Sequence, residues 1–555
     1  MKNKYKGIAF LGVSLLATGC GGPSTPTLEI TQEEKVKPAS SNFEYKELLQ
    51  SSEDYNTSKW YKNELKHMQL PDPFVIEHEG SYYIYGTTDR TAANTFDCYE
   101  TTDFNTFKLH KDIYVPSSDS FTKESLFAPE VYKFGDKFYL YYSGKTNGQT
   151  ASRINVAVSD KPTGPFKEYK GKDFNGNEVD FTKEPMIKDI KSGKSLGILD
   201  QTLLVDAEKI YMYYSVYDSG IMQYIVGLEM FDPVTPNFDT YKLLVRPGEL
   251  SPKTSSTNML TWEALKGFKV AEGPCVIKSP VNNKFYLTYT VNHYPDRYYT
   301  VCYAVSDTPL GDYEKPFTKG EQWTNLLFGY AGGGLGTVYD QWEGFMSGTG
   351  HHSIFKVGDE YMITYHAHKN MENSNAGRMV CFDKVYFDEE GVPYANGPTR
   401  SLQSLPEEIS GYKNIAGKAQ IIAEGVENYD NLIDNFSVEH YNLNQEKDRE
   451  ANINRGKSYI KLQFDKEYTI GGLQIVNSAF YDKYVQDISY INLGNGNVIL
   501  DGYFDSQSCV KDEKNFIFPN SNFTYDFEDI KTDKIIIGLE NIDPVALNEI
   551  IVLGK

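Results

Sequence analysis

Three carboxylates and a histidine stand at matching points of a repeated pattern, and their types and spacing suit chemistry. Asp72 precedes Tyr83 by 11 positions, and the same interval separates Ala128 from Tyr139, Asp200 from Tyr211 and His351 from Met362. Glu272 holds the corresponding place, or one shifted by one or two residues, in a copy lengthened around Ser279–Asn283. The start of an apolar strand has no structural need for such residues. Carboxyls brought together repel one another, and repulsion with partial burial drives their pKa values apart, which suits one acid and one base.

The elements that must position them are five β-hairpins. The copies are DPFVIEHEGSYYIYGTT from Asp72, APEVYKFGDKFYLYYSG from Ala128, LDQTLLVDAEKIYMYYSV from Leu199, EGPCVIKSPVNNKFYLTYTV from Glu272 and GHHSIFKVGDEYMITYHAH from Gly350. In each, an apolar strand, a turn such as GD, NN or EG and a Tyr-rich strand follow in order. A further pair, INVAVSDKPTGPF at 154–166 and VCYAVSDTPLGDY at 301–313, reads as a third strand, a turn and an outer strand. A lone hairpin is marginal in water. Five groups packed radially as a five-bladed propeller protect their edges. The alternative, a two-sheet sandwich, does not account for five copies. The first strand of each blade then lines a central channel, and the carboxylates converge there.

Composition agrees with an all-β chain. The 555 residues include 43 Tyr and 31 Phe but 4 Trp, and Tyr and Phe favour strands. Asp and Glu number 76 against 55 Lys and Arg, a net charge of −21, which excludes the basic face that a nucleic-acid partner needs. Lys2, Lys4 and Lys6 precede a short apolar run, Ile8 to Leu16, that ends in Leu16-Ala17-Thr18-Gly19-Cys20. This reads as an export signal too short to span a bilayer. Small residues before a Cys resemble a lipoprotein cleavage box, with Cys20 as the lipidated residue; ordinary secretory cleavage is the alternative. The other cysteines, Cys98, Cys275, Cys302, Cys381 and Cys509, lack CxxC spacing and suggest neither zinc nor a disulfide framework. The expected organisation is a signal over 1–20, a flexible tether and lead-in over 21–60, a propeller over 61–410 and a β-sandwich over 411–555.

The propeller segment resembles glycoside hydrolase family 43 of clan F. The resemblance rests on LPDPFV at 70–75, FAPEVY at 127–132, ILDQTLLVD at 198–206, AEGPCVIK at 271–278, GTGHHSIF at 348–355, and TYHAH followed by GRM at 377–379. It implies Asp72 as general base, Glu272 as general acid, and Asp200 as the residue that raises and orients that acid, in an inverting reaction. Substrate contacts are expected from Phe127, Glu130, His351, Tyr365, His366 and Arg378. No cofactor is required, though a structural Ca2+ or Na+ on the axis would be reached from His351 through waters. His352 is expected to point the other way along the strand. LDQTL and FAPE depart from the commoner family forms and were expected to alter the pocket wall. The C-terminal segment resembles a discoidin-type (coagulation factor 5/8 type C) β-sandwich in AQIIAEG…LIDNF and ALNEIIVLG, which implies either sugar binding or a purely bracing role.

The functional expectation is an exo-acting glycosidase that removes α-L-arabinofuranosyl or β-D-xylosyl ends from an oligosaccharide or polysaccharide. β-D-Galactofuranose and β-D-galactose are the alternative sugars. It would be a monomer, held at a bacterial outer membrane through its N-terminal lipid alone. A cell-surface glycan-binding protein without catalysis is the competing class. A phosphorylase would need a basic phosphate cradle, which Arg378 alone does not supply.

Overall fold

In a computed structural model of the chain, each Tyr-rich hairpin opens its own four-stranded antiparallel sheet. The structure describes residues 28–48, 55–63, 68–88, 94–146, 151–187, 197–218, 222–253, 259–296, 298–329, 347–368, 377–399, 401–437, 449–478, 483–503 and 522–555. The expected signal peptide, Cys20 and Cys509 lie outside them.

The innermost strands of blades 1 to 5 are Phe74–His78, Thr122–Phe134, Gly197–Asp206, Ala271–Lys278 and Ser347–Val357. The second strands are Ser81–Gly86, Lys137–Thr146, Lys209–Asp218, Phe285–Val291 and Glu360–His368. These strands carry apolar side chains on both faces because both faces are covered. Tyr141 packs against blade 3, while Tyr142 packs with blade 1, as the period of two requires. Five apolar clusters fill the five junctions between neighbouring blades, the last one joining blade 5 back to blade 1. The ring is therefore closed, and no blade keeps an uncovered face.

The buried tyrosines solve their polar problem by a repeated device. The hydroxyls of Tyr85, Tyr141 and Tyr213 donate to the carbonyl oxygens of Pro162, Pro233 and Pro309 at 2.8, 2.6 and 2.9 Å. Each proline sits after the third strand of the following blade, which gives the SDxP sub-repeat its structural purpose.

The ring is pinned by a short antiparallel pair, Trp60 opposite Ser404 and Tyr61 opposite Gln403. Asn63 adds a buried staple, donating to the carbonyls of Phe382 and Thr399 at 2.9 Å each and accepting the Phe382 N–H at 2.8 Å.

The C-terminal domain joins nine of its strands and one from residues 46–47 in one hydrogen-bonded network around a main apolar core. Its long strands Gly456–Asn477 and Phe523–Asn541 pair with each other, and register shifts at Gln463/Tyr468 and Ile470/Gly472 let them bend.

The expected flexible tether over 21–60 is corrected across 28–48. Lys46 and Glu47 add a strand opposite Asp526 and Tyr525. Phe43 packs on Phe527 at 5.4 Å between ring centroids and Tyr45 on Tyr525 at 5.9 Å. Glu34 accepts hydrogen bonds from Lys461 and Lys534 at 3.1 and 3.0 Å. The aromatic side chains and the buried ion pair outweigh the Gly/Pro/Ser composition that suggested a linker. From this strap the chain crosses to the propeller through Lys59, whose ammonium reaches Asp526 at 2.7 Å and the carbonyls of Gly471 and Phe527 at 2.8 and 3.0 Å.

Candidate active site

Each blade carries a left-handed residue at the same repeat position, within its innermost strand or, for Asp72, two residues before it. These are Asp72 (φ 57°), Ala128 (48°), Asp200 (56°), Gly273 (52°) and His351 (43°). Each lies four positions before the residue paired with the Tyr or Met that closes the sequence repeat, or with Tyr286 in blade 4. In blades 2 to 5 the register with the second strand shifts at this point. A left-handed residue at such a bulge turns the next side chains toward the axis. The fourth equivalent is thus Gly273, and Glu272 stands one position earlier.

Asp72 is enclosed by donors. Thr87 donates to its Oδ2 at 2.6 Å, and Arg378 to its Oδ1 at 3.2 Å. The Nδ1 of His351 lies 3.3 Å from the same Oδ1. The Asp72 backbone N–H is directed at the Nδ1 of His366 at 3.3 Å. Burial alone would push the Asp72 carboxyl up; His351, Arg378 and Thr87 outweigh it and hold the carboxyl below its usual value. Burial lowers both His351 and His366, so at neutral pH the full cation beside Asp72 is Arg378.

Glu272 has the opposite balance. Burial raises it, the hydrogen bonds of Tyr299 and Gln223 partly oppose this, and the net displacement is upward. Tyr299 donates to its Oε1 and Gln223 to its Oε2, each at 2.7 Å. Asp200 is raised well above a normal carboxylate, by burial first and then by the charges of Glu272 and Asp72. Asp200 and Glu272 are thus displaced upward where Asp72 is displaced downward.

The other expected contacts divide. Phe127 is half-buried beside Ala128, and His351 and Arg378 touch Asp72 directly. The Arg378 Nε is buried without a hydrogen-bond partner, a donor left over in the site. Tyr365 is a correction. It is fully buried in the junction of blades 4 and 5, and its hydroxyl donates to Asp383 at 2.7 Å. Strand alternation turns its neighbour His366 to Asp72 instead. Glu130 is buried, accepts from Tyr132 at 2.5 Å and is pushed up to about 8 by burial; its charge in turn adds to the raising of Asp200. His352 turns away from Asp72, with its Nε2 2.6 Å from Thr288 Oγ1.

The Gln of LDQTL has a structural task rather than one in the pocket wall. Gln201 is buried and donates to the carbonyls of Ala128 and Tyr141 at 2.8 and 3.2 Å. It staples blade 3 to blade 2 beneath Asp200. Thr87, Gln223 and Tyr299 escaped the sequence reading. Thr87 follows the first Tyr-rich strand in GTT; Gln223 lies on the third strand of blade 3, which lacks the SDxP sub-repeat, and Tyr299 stands just before the sub-repeat of blade 4.

Among the described residues no three His, Cys, Asp or Glu side chains converge as a metal site, and the Nδ1 of His351 faces Asp72. That donor set does not fit a directly coordinated Ca2+ or Na+. Cys98, Cys275, Cys302 and Cys381 are buried free thiols.

Two carboxyls displaced in opposite directions, Asp72 down and Glu272 up, suit general acid–base catalysis. Residues 61–393 match the model of glycosyl hydrolases family 43, and the chain belongs to that family. It is similar to an extracellular endo-alpha-(1->5)-L-arabinanase of Thermotoga petrophila, 27% identical over 272 residues, covering 45% of this chain and 51% of the relative. It is also similar to the beta-D-galactofuranosidase xynD of Aspergillus niger, 23% identical over 337 residues, covering 58% and 80%. The chain thus spans about half the length of the first relative. A crystal structure of a thermostable family-43 glycoside hydrolase aligns at 26% identity over 61% of this chain and 97% of that one, with a TM-score of 0.48.

Proposed function

We propose that the protein is an inverting, exo-acting glycoside hydrolase that removes terminal α-L-arabinofuranosyl units, with β-D-xylosyl units as the second candidate. The observation that carries this reading is the opposite displacement of two carboxyls, Asp72 downward and Glu272 upward. Asp72 takes a proton from a water as its oxygen bonds to the anomeric carbon. Glu272 gives its proton to the departing glycosidic oxygen as the old bond breaks. Asp200, raised in concert with Glu272, keeps negative charge low on that side until the proton moves. Arg378 holds Asp72 ionised and offers its Nε–H to a sugar hydroxyl.

The sugar is argued from the relatives. A 1→5 linkage leaves O5 outside the ring, so the arabinanase acts on a furanose, and the other relative is a galactofuranosidase by name. Both point to a furanosyl ring. For the anchor, Leu16-Ala17-Thr18-Gly19-Cys20 supports export with lipid on Cys20; loss of fatty-acid labelling in Cys20→Ala checks it.

The deciding experiment is a panel of aryl glycosides (α-L-arabinofuranoside, β-D-xyloside, β-D-galactofuranoside, β-D-galactopyranoside), with proton NMR of the first-formed anomer. Release from the arabinofuranoside with inversion, reduced at least about hundredfold in Glu272→Gln, is expected. No release from any member, with glycan binding retained, would replace the enzyme by a binding protein.

A further inference from the structure

Three rings stand in a row on the blade that bears Glu272, and the catalytic roles proposed above leave them unused. Phe268 is 42% exposed and lies flat on His293, with centroids 4.6 Å apart and planes 10° apart. His293 adjoins Tyr294, which is 38% exposed, at 5.1 Å. The Arg378 guanidinium sits over the Tyr294 ring at 5.0 Å while it ion-pairs with Asp72 at 3.2 Å. The row therefore begins at the catalytic carboxylate and runs outward.

The row is also built to stay in place. Phe268 closes the short 3-10 helix Thr261–Gly267, and His293 and Tyr294 follow the second strand of blade 4. Asn292 is 2% exposed and ties the two segments together. It accepts the Leu265 N–H at 2.9 Å and donates to the carbonyls of Trp262 and Tyr298 at 3.2 and 3.0 Å. Exposed aromatic rings held rigidly lose little freedom when they bind.

We propose that Phe268, backed by His293 and Tyr294, offers its outer face as a stacking platform for a sugar ring on the leaving-group side of the scissile bond. The inference rests on Glu272 as the acid. The acid must reach the leaving oxygen, so the departing sugar lies over the blade that supplies it, and Phe268 precedes Glu272 by four residues. The apolar C–H face of a sugar covers an aromatic ring and leaves its hydroxyls at the wet rim. The substrate class is thereby narrowed to glycans with at least one further sugar beyond the bond cut, rather than glycosides of small alcohols.

The test compares two substrates of the sugar that the panel identifies: its trisaccharide, and its glycosyl fluoride, which has no ring on the leaving side. In Phe268→Ala the ratio of kcat/KM for trisaccharide over fluoride falls about three- to tenfold, and Phe268→Tyr restores it. An unchanged ratio, or an equal fall for both substrates, overturns the platform. If no glycoside is turned over, the hydrolase reading fails separately. The platform is then judged by calorimetry with α-1,5-arabinotriose and β-1,4-xylotriose. Binding weakened in Phe268→Ala supports it; equal binding, or none by the unaltered protein, overturns it.

Discussion

Gly273 lies directly against His351: a Cβ added to it would stand 3.2 Å from the imidazole Cγ and 3.3 Å from the His351 Cα. Both residues are left-handed, and both occupy the repeat position that carries Asp72 and Asp200 in other blades. The backbone of Gly273 also hydrogen-bonds the Asp200 carboxylate. One bare Cα thus lets blades 3, 4 and 5 approach one another at the layer where the carboxyls meet.

Gly273→Ala is expected to fail on two counts. A side chain at φ +52° costs about 1–2 kcal/mol, and the new methyl stands 3.2–3.4 Å from the ring and Cα of His351, which must give way. His351 is pushed off Asp72, and Asp200 loses its aligned amide. The melting temperature should drop by a few degrees, and kcat/KM by at least about tenfold. Calorimetry and steady-state kinetics on the same sample check this. A variant that matches the unaltered protein in both would show that the contact is slack.

The pH profile follows from the two displaced carboxyls. With Asp72 as the proposed base and Glu272 as the proposed acid, activity should rise at a pH below the usual carboxylate range and fall as Glu272, raised to about 7, ionises. Tyr299 donates to Glu272 and so favours its ionised form. In Tyr299→Phe that support is gone, and the Glu272 pKa rises further. The ring remains to stack on His366 at 5.5 Å. The basic limb of kcat/KM should move upward by about one unit or more, with the acidic limb in place. A downward or absent shift would remove Tyr299 from the control of the acid.

How far the site could be read from the chain depends on parity along the strands. The 11-residue interval placed Asp72, Asp200 and His351 at one structural position because hairpin register carries over from blade to blade. It left Glu272 uncertain by one or two residues, since the longer turn around Ser279–Asn283 hides the register. Tyr365 and His366 differ by one position, and only the bulge near His351 decides which of them faces the channel. Gln223 reaches Glu272 from the third strand of blade 3 and Tyr299 from just before that of blade 4, and neither position falls within the repeated motifs. The closed ring was legible in the five copies. The strap over 28–48 was not, because its partners lie more than 400 positions away.

Glu130 gives the fold a pH dependence of its own. Burial lifts its carboxyl from an ordinary 4.5 to about 8, against hydrogen bonds from Tyr132 and Thr202. Between those values the unfolded chain releases this proton and the folded chain keeps it. The stability is fully present below about 4.5 and is lost as pH rises toward about 8. Glu130→Gln removes the titration while keeping the side-chain shape. Relative to the unaltered protein, its melting temperature should improve by a few degrees between pH 5 and pH 8. A difference that is constant with pH would mean that Glu130 is ionised in the folded channel.

Lys59 is where the strap, the C-terminal domain and the propeller meet. Its side chain is 10% exposed and that of Asp526 is 8% exposed, with 2.7 Å between the charges. Beside it Trp60 is fully buried with Leu48, Leu402, Tyr412 and Leu553, residues drawn from both domains. Removing one partner of a buried pair leaves the other charge without compensation and costs about 3–5 kcal/mol. Lys59→Ala should therefore loosen the junction first, and scanning calorimetry should show one unfolding transition splitting into two. Replacing both charges, Lys59→Met with Asp526→Leu, removes the stranded carboxylate and should bring the transitions back together. If Lys59→Ala melts like the unaltered protein, the apolar contacts around Trp60 hold the two domains by themselves.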